Sequence, residues 1–478
     1  MKYKTIQLSH TQEIIQTYGV NSLMAKVIES KKIDQKQFKS FMDPHLIYHD
    51  FSLFEEADET LERIEEAIAN KEKICIYGDY DCDGILATTI LVQAFHERGV
   101  EVGYHIPNRF TDGYGLNTTR VEQMAEKGYS LIITVDNGIK AFDAVEKAGE
   151  LGIDVIITDH HAFDGEVPVA YSIIHTKMSP KYPFKEICGG FIAYKLAAAL
   201  LKHHDPYLFT LASITTISDM MPLLDENRSL VRRGLQFMKQ YKYPSLELLK
   251  GSRDYDATTT GFTIAPRINA FGRLPELVNP VYLVKYFLKE ADHAYLEKIS
   301  NYASKINSKR QSLTTSLYKE AVTDTSSPCL FYGSENMHEG LVGLVAGKYT
   351  REYEQPAFVM HYNPKEEIYK GSARGIDGFN IYNFFTHHED LFVQYGGHAK
   401  AGGFTITKSN YPLVYDALMN DIKGCHFEAS ESVIPITLTD TTIPNVESLD
   451  LLAPFGEENK APLFILEDVS CHQVDRLS

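Results

Sequence analysis

Three times within its first 161 residues the chain runs a short apolar stretch straight into acidic residues. Lys73–Tyr77 (KICIY) leads to Asp79-Tyr80-Asp81-Cys82-Asp83-Gly84, Leu131–Val135 (LIITV) to Asp136-Asn137-Gly138, and Val155–Thr158 (VIIT) to Asp159-His160-His161. Helical patterns lie between them, over Ile85–Arg98 and up to Gly149, with a further strand read over Val100–Ile106. Strands alternating with helices of roughly ten to fifteen residues make right-handed βαβ units, and therefore a parallel sheet. Ligands of such sheets sit outside the carboxyl ends of the strands. The acidic turns therefore converge on one edge, however far apart they lie in the chain. Ile214–Asp219 (ITTISD) is read as a fourth apolar-to-acidic transition of the same kind.

The rest of the chain is organised around that sheet. A length of 478 residues is too great for one ordinary core, so two or three domains are expected. Residues 1–45 carry helical spacing at Leu23, Val27 and Ile28 and read as a helical arm, and Leu53–Ile68 reads as an amphipathic helix. A long helix over Ala291–Val322, with Leu296, Ile299, Ala303 and Ile306 at helical spacing, ends at the turn cluster Asp324-Thr325-Ser326-Ser327-Pro328. A second α/β unit follows over Cys329–Cys425, and Ser432–Ser478 alternates at Ile434, Ile436 and Leu438 as a β-rich segment. The expected boundaries are 1–45, 46–288, 289–326, 327–428 and 429–478.

Composition narrows the class. Hydrophobic content of 44% with 23% charged residues is that of a globular chain. No run of eighteen apolar residues occurs and Met1–Ser9 lacks a signal-peptide core, so no membrane association and a cytoplasmic location are expected. The six cysteines (Cys75, Cys82, Cys188, Cys329, Cys425, Cys471) form no C-x-x-C pair, which argues against a disulfide scaffold or a thiolate zinc site. A net charge of -17 argues against nucleic acid only weakly. Clustered carboxylates that hold divalent cations present an inverted local field.

Each acidic turn has a bland reading beside the chemical one. Asp79, Asp81 and Asp83 suit hard divalent metals. An EF-hand loop begins the same way but needs Glu at its twelfth position, which here is Ile90. Helix capping is the bland reading of both Asp79–Asp83 and Asp136. His160 and His161 are stronger, because imidazole binds transition metals and can orient or protonate a phosphate. His203-His204 and His387-His388 follow no apolar strand and are read as surface pairs. Taken together, four acidic clusters on one sheet edge would stack like charges unless cations neutralise them. Two metals about 3.5–4 Å apart would clamp a phosphate and activate water, so the reaction class is metal-assisted phosphoester hydrolysis.

These residues, in this order, resemble the DHH phosphoesterase superfamily, and within it the RecJ branch of single-strand-specific exonucleases. The matching stretches are GDYDCDG at 78–84, IPNRFTDGYGL at 106–116, TVDNGI at 134–139, DHH at 159–161, CGG at 188–190 and SDMMPLLDENR at 218–228. The second half adds APRINAFGRL at 265–274, INSKRQ at 306–311, EGLVGLVAGK at 339–348, GSARGIDGFN at 371–380 and GGHAKAGGF at 396–404. The last two resemble the accessory DHHA1 domain, and PFGEENKAPLF at 454–464 resembles the start of an OB-type domain. The implied fold is α/β: a parallel-sheet DHH domain, a long connecting helix, a smaller α/β DHHA1 domain and a partial, OB-like β-rich C-terminal segment.

The resemblance also implies roles. Asp81, Asp83, Asp136, His160 and Asp219 would ligate two divalent ions, Mn²⁺ or Mg²⁺, with Asp136 bridging them and Asp79 completing one shell directly or through water. His161 would face the scissile phosphate; with Asp136 and His160 it makes up the catalytic set. Arg109, Tyr114, Arg267, Asn269, Arg273, Ser372, Arg374, Gly397 and His398 would bind substrate, Tyr114 by stacking on a base. The bland readings are a surface ion pair for a lone Arg and a tight turn for Gly397. Implied too are 5′→3′ removal of nucleotides from single-stranded DNA in recombination and repair, a monomer, and a single-strand-binding protein or helicase as candidate partners. Two departures stand out: the chain has no Trp, and it ends soon after the OB-like start, so that segment is expected to be incomplete. Two other readings remain: a small-substrate DHH phosphodiesterase acting on oligoribonucleotides or cyclic dinucleotides, and a non-catalytic DHH replication scaffold. The second fits poorly with a full set of candidate ligands.

Overall fold

The computed structural model describes residues 2–43, 45–113, 115–163, 165–322, 326–425, 427, 430–466 and 469. Tyr114, the turn residues Asp324 and Thr325, Cys471 and the last residues of the C-terminal segment lie outside them. The chain opens with β1 (Lys2–Thr5) and the arm helices α1 (Thr11–Tyr18), α2 (Ser22–Ser30) and α3 (Gln35–Met42). Then come α4 (Ala57–Ala69), β2 (Ile74–Tyr77), α5 (Cys82–Glu97), β3 (Gly103–His105), α6 (Thr118–Glu126), β4 (Leu131–Val135), α7 (Phe142–Glu150), β5 (Asp154–Thr158) and β6 (Ser172–Ile174). Helices α8 (Gly189–Leu201) and α9 (Pro206–Ser218) follow. The chain divides into two compact units, Ile6–Ile306 with Ile434–Ser478, and Met1–Thr5 with Asn307–Val433. The division falls inside the 29-residue helix His293–Ala321.

In the larger unit the strands form one five-stranded sheet in the order β3-β2-β4-β5-β6, every pair parallel. β2 and β4 are buried along their whole length, as the apolar runs require of strands covered on both faces. From β2 the chain crosses to β3 on one side, then returns past β2 to β4 on the other. The reversal opens a crevice at the carboxyl ends of β2 and β4, where such folds hold ligands. The register Tyr77↔Thr134 and Val135↔Thr158 brings those ends level. The strand read over Val100–Ile106 narrows to β3, because Gly99 and Val100 turn the chain out of α5, their amides bonding His96 O and Phe95 O at 2.9 Å each.

Helices α5, α8 and α9 are apolar nearly all round, which marks them as internal. All residues from Cys82 to Phe95 are buried, as are Gly189–Ala198 and Tyr207–Thr216. One sequence expectation fails here. Ile214–Ser218 is the last turn of α9, not a strand, so Asp219 stands at a helix C-terminus. A short Thr-rich apolar run does not distinguish strand from buried helix by period alone.

The smaller unit is built on a mixed five-stranded sheet from β7 (Leu330–Ser334), β8 (Ala357–Asn363), β9 (Ile368–Arg374), β10 (Gln394–His398) and β11 (Ala401–Thr407). The strand order is β10-β11-β9-β8-β7, with only β7 and β8 parallel. Its core joins Phe358, Met360, Phe384, Phe385, Phe404 and Ile406. β12 (Ser430–Ile436) pairs with β1 through Ser430–Val433 in this unit, and with β13 (Phe464–Leu466) through Ile434–Ile436 in the larger one. Between β12 and β13 run short helical turns, among them Ile443–Ser448. The arm helices pack Met24, Val27, Ile28 and Phe41 against Ile434 and Leu452, and Lys26 Nζ contacts Asp440 Oδ2 at 2.8 Å.

Candidate active site

Four segments bring their acidic residues to the crevice. Gly78 ends β2 where any side chain would strike Thr88 Oγ1, and at Gly84 an added Cβ would meet the Asp79 backbone at 2.5 Å. The turn between them is thus wound tightly. Asp81 caps α5 by accepting from Gly84 N at 3.1 Å, so the capping reading holds for this residue. Asp83 lies in the first turn of α5, buried, and its two carboxylate oxygens accept from Gly189 N and Gly190 N at 2.8 Å each. Those amides open α8, so Asp83 sits on the positive end of a helix dipole.

Asp136 is no helix cap. It adopts a left-handed φ of 62° directly after β4, is buried, and donates its N–H to Thr158 O at 2.9 Å. At Gly189 a Cβ would lie 2.5 Å from the Asp136 Cβ, so glycine there makes room for the carboxylate. Asn137 ties the strand ends, donating from Nδ2 to Tyr77 O at 3.2 Å and Val135 O at 2.9 Å.

Asp159 shapes the third turn without reaching the cluster. Its Oδ1 accepts from His160 N, His161 N and His161 Nδ1 at 2.7, 3.0 and 2.7 Å, and its Oδ2 from Ile139 N at 3.0 Å. The two histidines diverge. His160 Nε2 stands 3.1 Å from Asp136 Oδ1, 3.6 Å from Asp219 Oδ2 and 3.9 Å from Asp83 Oδ2. His161 stays on Asp159 and is part-exposed at the rim, with Nδ1 4.0 Å from Asp136 Oδ1. Asp219 follows α9, at the negative end of its dipole, where a carboxylate is disfavoured.

The electrostatics are those of a site that needs positive charge. Burial and the Asp81 charge push Asp79 up to about 8 and Asp83 up to about 6, the latter held down in part by its glycine amides. Burial and the charge of Asp83 push Asp136 and Asp219 well above the carboxylate range. Burial and the neighbouring His161 lower His160 to about 3, leaving a neutral imidazole that can ligate. For His161 burial acts downward, but the hydrogen bond and charge of Asp159 prevail and raise it to about 9. Asp159, also buried, is held well below the usual range by the same pairing. Among the described residues, Asp79 Oδ1, His160 Nε2 and Asp219 Oδ2 are sealed from solvent without a hydrogen bond. Buried oxygens and an imidazole nitrogen left in this state suit hard divalent cations. The donor atoms of Asp79, Asp81 and Asp136 lie within 4.8 Å of one another, as do those of Asp83, His160 and Asp219, and those of Asp136, His160 and His161. Asp136 is common to two of the three groups.

The remaining candidate residues of the larger unit divide. Arg109 stacks on the Tyr80 ring, 4.2 Å from its centroid, beside Asp79, and the charge of Arg273 also reaches Tyr80. Asn269 Oδ1 accepts from Cys82 N at 2.7 Å, bracing the acidic loop from the helix Ala265–Arg273. At Gly272 a Cβ would collide with Tyr80 O, so that helix lies directly on the loop. Arg267 is turned elsewhere: its Nη1 donates to Leu249 O. Of the two histidine pairs read as surface features, His204 bonds Tyr194 at 2.9 Å and His388 bonds Asp421 at 3.0 Å. His203 lies near Glu97 and Asp205, but Lys289 already pairs with both carboxylates at 2.6 and 2.8 Å. The five described cysteines are free.

In the smaller unit, Ser372 and Arg374 stand on β9. Arg374 Nη1 donates to Ser372 Oγ at 2.6 Å and Ala373 O at 2.8 Å. A Cβ at Gly343 would come within 2.9 Å of Arg374 Nη2, so the glycine admits the guanidinium beneath the helix Val342–Tyr353. His398 ends β10, and burial with the Arg374 charge lowers it, which puts the two residues in one electrostatic group. Gly397 takes φ 140°, and a Cβ there would strike Ala401 O at 2.3 Å, so the tight-hairpin reading accounts for it. Sequence reasoning assigned nothing to the amides of Gly189 and Gly190, to Gly343, or to the anchoring role of Asp159. The Cys-Gly-Gly and Gly-Leu-Val-Gly stretches were the only signals for them.

Comparison with known proteins agrees with this geometry. Residues 73–218 match the DHH family, N-terminal domain, and residues 326–424 match the DHHA1 domain. The chain is 35% identical over 437 residues to the single-stranded-DNA-specific exonuclease RecJ of Bacillus subtilis, covering 88% of this chain and 55% of that protein. It is 30% identical over 458 residues to RecJ of Dickeya dadantii, covering 87% of this chain and 78% of its relative. The crystal structure of RecJ from Thermus thermophilus in complex with Mn²⁺ superposes with a TM-score of 0.83 at 26% identity, covering 97% of this chain and 69% of that one. The chain thus spans little more than half the length of the Bacillus relative. With both domains present in order and the acidic crevice intact, the chain belongs to the RecJ family of DHH–DHHA1 proteins.

Proposed function

We propose that this chain is a metal-dependent exonuclease that hydrolyses single-stranded DNA, from the 5′ end as the resemblance implies. The observation that carries the reading is the pair of separate donor groups, Asp79–Asp81–Asp136 and Asp83–His160–Asp219, with Asp136 in reach of both. Relatives named for this activity, and a Mn²⁺ complex of one of them, support it. Asp79, Asp81 and Asp136 would hold one divalent ion, and Asp83, His160 and Asp219 a second, with Asp136 bridging. Mn²⁺ or Mg²⁺ so held supplies Lewis-acid stabilisation of the phosphate and a water nucleophile at neutral pH.

The chain's own groups do the rest. Gly189 and Gly190 hold the Asp83 carboxylate in one orientation. Asp159 keeps a proton on His161 Nδ1 and favours the protonated ring, from which Nε2 can donate to a phosphate oxygen as negative charge grows on it. Arg109, held over the Tyr80 ring, offers its guanidinium to a neighbouring phosphate. Ser372, Arg374 and His398 form an anion-binding group of the smaller unit, which we assign to the strand's phosphates. We also take the chain to act in the cytoplasm in DNA repair and recombination. No described helix is long and apolar enough to cross a membrane. The test is incubation with Mn²⁺ and end-labelled single strands, duplexes, short RNA and cyclic dinucleotides. Single-stranded DNA should be shortened one nucleotide at a time. Equal cutting of duplex, or cutting of dinucleotides alone, would refute the proposal.

A further inference from the structure

The chain enters the helix Ala265–Arg273 through a π-helical turn, Thr260–Ile264. Such a turn inserts one residue into the helical ladder and tends to be found where a side chain is re-aimed for function. Here it presents Phe262, 78% exposed, while Thr263 and Ile264 behind it are buried. A scattered exposed apolar residue is ordinary on a protein surface, so position must decide. At Gly261 an added Cβ would touch Ile217 Cγ2 at 3.4 Å, so the turn rests on the end of α9, two residues before Asp219. From Phe262 the helix face continues through Pro266, Asn269 and Arg273, all at least partly exposed, while Ala265, Ile268, Ala270 and Phe271 are buried. That stripe leads to the candidate metal loop, because Asn269 Oδ1 accepts from Cys82 N at 2.7 Å. Seven residues at ~1.5 Å per residue put Phe262 about 10 Å along the face from Asn269.

We infer that Phe262 stacks on a nucleobase of the bound strand, and so acts as a specificity-determining residue that favours unpaired bases. The inference rests on the proposed single-strand nuclease activity. An exposed aromatic ring about 10 Å along this wall from Asn269 stands roughly three nucleotides, at ~3.4 Å per stacked nucleotide, from the residue that braces the acidic loop. Stacking accepts any base, because every base has a π-face, but it requires that the base be out of the duplex. The ring therefore adds grip on single strands without reading sequence.

The test is an abasic scan. Single-stranded oligonucleotides carrying one abasic residue, moved position by position from the 5′ end, are degraded in Mn²⁺ by wild type, Phe262→Ala, Phe262→Tyr and Phe262→Leu, and KM and kcat are read separately. Wild-type KM should rise about 10-fold when the gap falls at one or two adjacent positions, as loss of one stacked base predicts. F262A should raise KM for the intact strand by a similar factor and show no further rise at those positions. F262Y should behave as wild type, and F262L, apolar but without a π-face, as F262A. A uniform KM change across all positions, a change confined to kcat, or no change at all would overturn the inference while leaving the nuclease reading standing. If folded wild type fails to degrade single strands at all, the proposed function falls and takes this inference with it.

Discussion

At the scale of single residues, the adjacent histidines show how one dipeptide serves two purposes. Asp159 takes hydrogen bonds from both backbone amides and from the His161 ring, which leaves only His160 pointed into the carboxylates. The consequence is measurable. Asp159→Asn should release His161 and lower turnover by about 10- to 100-fold, the usual cost of losing an outer partner. Metal affinity, followed by calorimetry, should fall less than for His160→Ala. Asp136→Asn should reduce turnover by roughly 10³-fold or more while leaving the far-UV circular dichroism intact. Retained activity would remove Asp136 from the bridging position proposed for it. Asn269→Ala removes the acceptor for Cys82 N. It should cost about 1 kcal/mol of stability in denaturant titration and lower turnover through a loosened acidic loop.

At the scale of elements, the parallel sheet and its acidic edge were legible because three of its five strands, β2, β4 and β5, are apolar runs that end in aspartate turns, whereas the edge strands β3 and β6 carry no such mark. Buried parallel strands have no alternation to hide them. The 29-residue helix and the second α/β unit were equally clear. Asp219 was misplaced onto a strand because Ile214–Ser218 is short, apolar and Thr-rich, and only its burial within α9 reveals the helix. What stayed invisible were backbone donors. Nothing in the pattern of side chains says that the first amides of α8 point at Asp83, since the two glycines that allow it look like turn residues. Arg267 was read as a cleft donor but bonds the Leu249 carbonyl, because its position on the helix turns it away from the direction of Asn269. Gly190→Ala is a sharp test at this scale. The added methyl would lie 2.5 Å from Thr215 and 2.8 Å from Asp83 Oδ1, so unfolding should become easier by about 1–3 kcal/mol. Activity should fall further than that loss of stability accounts for.

At the scale of the whole molecule, cations and the helical arm are the two external handles on stability. Carboxylates pushed upward by burial and mutual repulsion make the crevice a liability until positive charge arrives. Mn²⁺ at 100 times its Kd should add about 2.7 kcal/mol, seen as a rise in Tm of roughly 3–4 °C for a unit of this size. The Asp136→Asn variant should show little of that rise. The arm responds to acid instead. Burial acts to raise Asp440, but the Lys26 ammonium and the Thr437 amide prevail and bring it from 3.8 to about 2. Because the folded form holds that proton less tightly, the pairing contributes fully above about pH 4 and is lost as pH falls through about 2. Tm should therefore drop over this window, and Asp440→Asn should flatten the drop while lowering Tm at neutral pH.

Gly189 and Gly190 bear on how such a protein decays over generations. Every candidate ligand here is intact, yet a single methyl group at either glycine would press on Asp136 or Asp83. A descendant could therefore keep every aspartate and histidine and still be silent. In a lineage drifting from catalysis toward a purely architectural role, these two positions should be free to change as early as the acidic ones. An intact Cys-Gly-Gly is thus as informative a mark of a working enzyme as the Asp-His-His that first draws the eye.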